Sequence, residues 1–92
     1  MNRNISIPET VLWRKDGNQV VLFDEERGEP YLLNETASRI WELCSNSMPV
    51  NEITAALMAE FEGDQQVIKT DTLTLLTLLE KKGLLRFSAS VA

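Results

Sequence analysis

Cys44 is the only thiol in a chain of 92 residues that contains no histidine. A cysteine attacks or ligates as its thiolate, and a thiolate needs a neighbouring base or a positive setting. Cys44 instead follows Trp41 by three residues on an apolar helical stripe, the place of a buried, inert thiol. The sequence has no glycine-rich phosphate loop and no carboxylates at a metal-ligand spacing. The run Asp24-Glu25-Glu26 reads as a solvated turn. Asp71 stands within an apolar helical stripe, where a carboxylate is costly unless paired or at the rim. A hydrogen bond or ion pair to the sheet or the first helix is its expected role, ahead of contact with a ligand. Trp41 is expected to anchor the core, while the facing of Trp13 and Tyr31 is left open by their strand positions. Residues of these types hold a partner more readily than they transform one.

The elements that would position them follow from local signals. Thr10–Lys15 and Gln19–Phe23 have strand length and β propensity, and Asp16-Gly17-Asn18 between them supplies residues that tolerate positive φ. Asp24–Gly28 turns the chain back into a third strand, Glu29–Leu33. Pro30 has no N–H to give a ladder, so this strand is expected at an edge of the sheet. Asn34 then reads as a helix N-cap, with Glu35 in the first turn. Ala37, Ile40, Trp41 and Cys44 form the inward stripe of that helix. A second helix is expected from about Met48–Val50, with Pro49 in its first turn, the stripe Val50, Ile53, Leu57 and Phe61, and a stop at Gly63. Asp64 caps a third helix that runs to about Lys82. Gly83 suits its C′ position, with Leu84 folding back, and Lys81 and Lys82 suit the negative end of its dipole. Leu85-Arg86-Phe87 is a brief closing extension. Residues 1–8 read as a loose entry and residues 88–92 as a frayed end.

This order predicts one α+β domain over residues 1–92, ordered from about 10 to 87. It is winged helix-turn-helix-like, a three-stranded antiparallel sheet followed by three helices. A domain this small can build one core but not a deep substrate cavity as well. A net charge of −5 opposes non-specific attraction to nucleic acid or to an anionic membrane. The first residues lack the apolar run of a signal peptide and no segment has the length of a membrane span. With one cysteine no internal disulfide is possible. A cytoplasmic protein is the expected reading, with no cofactor.

The third helix carries more leucine than one core face requires. Taking Ile68, Asp71, Leu75, Leu78 and Leu79 as the core stripe leaves Leu73 and Leu76 pointing elsewhere, beside Lys69, Thr77 and Glu80. That second face either completes a central, wrapped helix or lines an open groove. The strand Glu29, Pro30, Tyr31, Leu32, Leu33 would be the groove's other wall. Its free backbone groups could accept an extended chain by β-augmentation, or Glu29 and Pro30 could simply guard the edge against aggregation.

With these residues in place, the chain resembles the PqqD-like family, the precursor-peptide recognition elements of ribosomal peptide modification systems. The likeness is carried by Tyr31, Leu33, Asn34, Thr36, Ala37, Ile40, Trp41 and Leu43; by Val50, Ile53 and Leu57; and by Val67, Asp71, Leu75, Leu78, Gly83, Leu84 and Leu85. It spans about residues 10–87 and departs at Pro49, where the family often has a serine or threonine cap. No single element is specific; their order and spacing together carry the resemblance. The resemblance implies a fold without catalysis that binds the leader of a ribosomally made precursor peptide as a strand beside Glu29–Leu33, against the third helix. Lys69, Asp71, Leu73, Leu76, Thr77 and Glu80 are then the helical candidates for contact. It also implies a separate modifying enzyme as partner, such as a radical SAM maturase or a leader peptidase. Pyrroloquinoline quinone biosynthesis and lasso-peptide assembly both use such modules.

Two other classes compete. A winged-helix DNA-binding regulator would use the third helix for recognition, but that helix sets Asp71 and Glu80 against Lys69, Lys81 and Lys82 and has no arginine before Arg86, so it lacks a basic face. A small enzyme would need a base that the chain does not offer.

Overall fold

Alternation along the first long strands sets the architecture of the chain, a computed structural model describing residues 3–89. Strands β2 (Val11–Asp16) and β3 (Gln19–Asp24) are joined by a two-residue hairpin turn. Gly17 takes its first position at φ 63°, a conformation that costs an L side chain strain. Strand β4 (Glu29–Leu32) returns antiparallel to β3, giving a sheet in the order β2-β3-β4. Val11, Val20 and Leu22 turn inward and are buried, while Leu12, Val21 and Phe23 turn outward. The turn before β4 departs from expectation at one residue. Asp24 is buried, not solvated, and its Oδ1 accepts from the backbone N–H groups of Glu26 and Arg27 at 3.0 and 3.4 Å. Only Glu25 and Glu26 of the acidic run face water.

Helix α1 (Glu35–Ser45) packs on the inner face of the sheet, as its stripe requires. Asn34 caps it through Oδ1, which accepts from the Ala37 N–H at 2.8 Å. Trp41 is fully buried and meets Trp13 edge to face, with ring centroids 6.4 Å apart, which settles Trp13 on the inner face. Ser38 was not singled out by the sequence, yet it is buried in the junction. Its hydroxyl accepts from the Val20 N–H at 2.7 Å and donates to the Leu33 carbonyl at 3.2 Å. Leu33 N–H closes the same junction on Val20 O at 2.9 Å.

Helices α2 (Val50–Glu60) and α3 (Gln65–Lys81) pack on each other and close the core. Pro49 stands at the N-cap of α2, one position before the first helical residue, and Ile53 and Leu57 are buried as expected. Asp64 caps α3. Its far end is a Schellman motif, with Leu84 N–H bonded to Leu79 O, Gly83 N–H bonded to Glu80 O, and Gly83 at φ 76°. Leu84 and Leu85 fold back into the core.

The chain ends contribute more than expected. Strand β1 (Arg3–Ser6) pairs antiparallel with β5 (Arg86–Ala89), Ile5 opposite Phe87, and Ile5 is buried. Residues 3–6 are therefore not a loose entry, and Ser88 and Ala89 are paired, not frayed; residues 90–92 lie outside the described segment. The architecture is α+β, three strands and then three helices, with a small second sheet tying the described ends together. No helix among the described residues is long and apolar enough to cross a membrane.

The Ser38 junction generates the first test. Ser38→Ala leaves the Val20 N–H buried without an acceptor, a change worth about 1–3 kcal/mol. Chemical denaturation is expected to show that loss with an unchanged m-value. A loss below about 0.5 kcal/mol would mean that the hydroxyl bridge carries no stability.

Candidate functional site

Strand β4 has a neighbour on one side only. The bond from Leu33 N–H to Val20 O sets the parity of the ladder: Glu29, Tyr31 and Leu33 direct their backbone groups at β3. Pro30 and Leu32 direct theirs to the free edge. Pro30 lacks an N–H, so the edge offers the Leu32 N–H as its donor, with the carbonyls of Pro30 and Leu32 as acceptors. The expected edge strand is present, but not all five of its residues serve alike. Leu33 is buried and both its backbone groups are taken within the junction.

Tyr31 lies on the inner side of β4. Its hydroxyl donates to Glu29 Oε2 at 2.8 Å, and that bond, ahead of desolvation, raises the tyrosine's pKa above its ordinary value. Lys82, at the end of α3, holds its Nζ 5.5 Å from the Tyr31 ring centroid. Arg27, in the turn before β4, donates from a guanidinium N–H to the Lys82 carbonyl at 3.0 Å. These contacts bind the C-terminal end of α3 to the middle of β4.

From Lys82 back along α3, Leu78, Leu75 and Asp71 fall within about 60° of one another at 100° per residue. Leu75 and Asp71 line an apolar cavity of about 380 Å³ with Asn34, Thr36, Ala37 and Ile40 from the start of α1 and with Leu57, Phe61 and Ile68 below. Asn34 directly follows Leu33. Asp71 and Leu75 thus face the start of α1 and Lys82 meets β4, a stretch of about 16 Å along α3 at 1.5 Å per residue. An extended segment of five or six residues has a similar length.

The phase of α3 is a correction to the sequence reading. Thr72, Leu76 and Leu79 are buried, Ile68 and Leu75 half-buried, and Leu78 exposed at 47%. Leu76 is fully buried, so it belongs to the core and lines no open groove. Leu78 and Asp71, assigned to the core stripe, are on the open side. Leu73 is half-buried on the opposite side of α3, in the direction of Lys69, Thr77 and Glu80, which are exposed. Those four residues are not brought to β4. Asp71 is exposed and makes no ion pair or hydrogen bond to the sheet or α1. Of the helical candidates it alone lines the cleft, and the sequence missed Leu75 and Lys82 as its companions; Leu78 lines a separate shallow concavity with Leu73, Thr77 and Lys81.

The cleft is lined by backbone edge groups, apolar side chains, the carboxylate of Asp71 and the ammonium of Lys82. Among the described residues no group of three or more histidine, cysteine, aspartate or glutamate side chains could hold a metal ion. Cys44 is buried, and burial pushes its thiol up to about 12. Alkylation of the native protein at pH 8 is therefore expected to be negligible and to appear at full rate in denaturant; prompt labelling of the folded protein would contradict the burial of Cys44.

Comparison with known proteins places this arrangement. The chain is similar to the solved structure described as TbiB1 in complex with the TbiA(beta) leader peptide, at 29% identity and a TM-score of 0.85, over 92% of this chain and 99% of that one. It also shares its fold with a lasso peptide synthetase B1 complexed with the leader peptide, at 22% identity and a TM-score of 0.80, over 89% of this chain and 96% of that one. Comparison with curated protein sequences finds no match. The family described as Coenzyme PQQ synthesis protein D (PqqD) matches residues 19–85, which run from β3 through the whole of α3, and the chain belongs to that family.

Proposed function

We propose that this domain is a non-catalytic recognition module that binds the leader of a ribosomally made precursor peptide and presents it to a separate modifying enzyme. The observation that carries the reading is the free edge of β4 beside Asp71, Leu75 and Lys82 of α3 across a cleft of peptide length. Two proteins of the same fold, TbiB1 and a lasso peptide synthetase B1, are described as holding leader peptides. Their occupancy supports the same ligand class here.

In this reading the leader adds as a fourth strand beside β4. The Leu32 N–H and the Pro30 and Leu32 carbonyls supply ladder bonds, and apolar leader side chains enter the cavity beside Leu75 and Ile40. Glu29 and Tyr31 act through side chains, holding the tyrosine ring against Lys82. Lys82 places a cation at one end of the cleft and Asp71 an anion at the other, so a leader with opposite charges at its two ends is favoured in one direction. The partner enzyme is of the class that modifies or trims such peptides, a radical SAM maturase or a leader peptidase. The cleft has no catalytic group to do that work itself.

Calorimetric titration with the synthetic leader of a precursor encoded beside this chain's gene tests the reading. Micromolar or tighter binding is expected. Asp71→Lys, which changes an exposed residue of the cleft lining, should weaken it at least tenfold, about 1.4 kcal/mol, with little change in thermal stability because Asp71 is exposed. Leu73→Glu, on the other side of α3, should leave affinity within about twofold. Equal losses for both variants, or none for either, would contradict the assignment of the cleft.

A further inference from the structure

The mouth of the cavity between α1, α2 and α3 carries charge of one sign. Ile40, Leu57, Phe61 and Leu75 make its apolar wall, and Glu62 and Asp71 are its charged members. Among the described residues its lining holds no lysine or arginine. Both carboxylates are exposed, and neither is in an ion pair. Glu60, two residues before Glu62, differs: Arg39 donates to it from Nε at 2.8 Å and from Nη2 at 3.0 Å. That pair ties the last turn of α2 to α1, and the Phe61 N–H bonds to the Leu57 carbonyl at 2.9 Å. Asp64 then caps α3. Glu62 stands in the short connection between these two fixed helix ends, so its backbone is held beside the cavity.

Nothing else at the mouth cancels this charge. The positive pole of α1 is already met by the Asn34 cap and by Glu35 in the first turn. The Thr72 hydroxyl is spent on the Ile68 carbonyl. Lys69, two positions before Asp71, lies on the other side of α3. Lys82 is about 16 Å away along the helix, twice the roughly 8 Å over which physiological salt screens a charge. Two carboxylates over a low-dielectric apolar wall focus their field on the mouth and draw a cation there.

We propose that Glu62 and Asp71 read a lysine or arginine of the leader, two residues from the large apolar side chain that fills the cavity, an inference that rests on the leader-binding reading above. The cavity, about 380 Å³, is at the small end of the roughly 300–1,000 Å³ of ligand pockets, room for an anchoring side chain and not for a folded segment. Alternate residues of an extended chain share a face and stand roughly 7 Å apart. The basic side chain next to the anchor on that face lays its stem on the apolar wall and its head between the carboxylates. The chemistry recognised is an apolar anchor with a cation beside it.

The test is calorimetric titration of the whole chain with the synthetic leader of the precursor encoded beside its gene, and with copies in which each lysine or arginine becomes glutamate in turn. At one position, two residues from a large apolar one, the change is expected to cost about tenfold or more in affinity. Reversing the mouth, with Glu62→Lys and Asp71→Lys together, should weaken the unaltered leader by a similar factor. The same variant should bind that one altered leader within about threefold of the original affinity, the mark of a direct charge pairing. The near-isosteric pair Glu62→Gln and Asp71→Asn should lose roughly threefold to tenfold and show a weaker dependence on salt. A leader that binds, but has no position rescued by the reversed mouth, would overturn this specificity and leave the leader-binding reading in place. So would a loss on acetylating the leader's α-amino group with none from its lysines or arginines, which would give the mouth to a peptide terminus. A wild-type domain that binds no leader would overturn both.

Discussion

The hydroxyl of Ser38 stands between two strands at the point where the sheet stops and the helices begin. It takes the Val20 N–H and gives its own proton to the Leu33 carbonyl, so both groups are satisfied without a ladder bond between them. The chain can therefore leave β4 at Leu33 and enter α1 at once, with Asn34 capping the helix. Two consequences reach the cleft. The parity of β4 is set there, which directs the groups of Leu32 outward. The start of α1 is also pinned beside the end of the strand, where Asn34, Ala37 and Ile40 become walls of the cavity. Around this junction the packing is ordinary. Trp41, Leu22, Ile53, Leu57 and Leu76 are fully buried, each contributing the few kcal/mol expected of a large apolar side chain.

The strands, the helices and their caps were legible in the sequence because each rests on a local signal. Gly17, Asn34, Asp64 and Gly83 all act in the structure in the roles their residue types suggest. Ser38 was not legible, since a serine inside a helix is most often solvated, and only the tertiary arrangement supplies its two partners. Nor was the pairing of β1 with β5. Each is four residues long, and their partners lie eighty or more positions apart, so no window of sequence contains both. Asp24 was misread for a similar reason. Its charge suggested water, but its carboxylate is occupied by the turn's own N–H groups.

The phase of α3 explains why the cleft was only half legible. Val67, Ile68, Leu73, Leu75, Leu76, Leu78 and Leu79 cover so much of the circumference that periodicity alone does not choose a core side. Thr72 decides it. The residue counts as polar, yet its hydroxyl bonds to the Ile68 carbonyl at 2.7 Å and is buried at no unmet cost. With Thr72 inside, the core turns toward Leu76 and Leu79 and the open stripe passes to Asp71, Leu75, Leu78 and Lys82. That β4 is an edge strand was readable from Pro30, whereas which side of α3 is open needed the fold.

The central claim is that an extended peptide pairs with β4 at its outer edge. Isotope-filtered nuclear Overhauser spectra of the labelled domain with unlabelled leader test it most directly. The account expects backbone-to-backbone cross-peaks between the leader and Pro30–Leu32 in the regular spacing of a β ladder, with side-chain peaks to Leu75 and Ile40. A bound leader whose cross-peaks fall on α2, on the Gly17 hairpin or on the Leu73 side of α3, with none to Leu32, would contradict it.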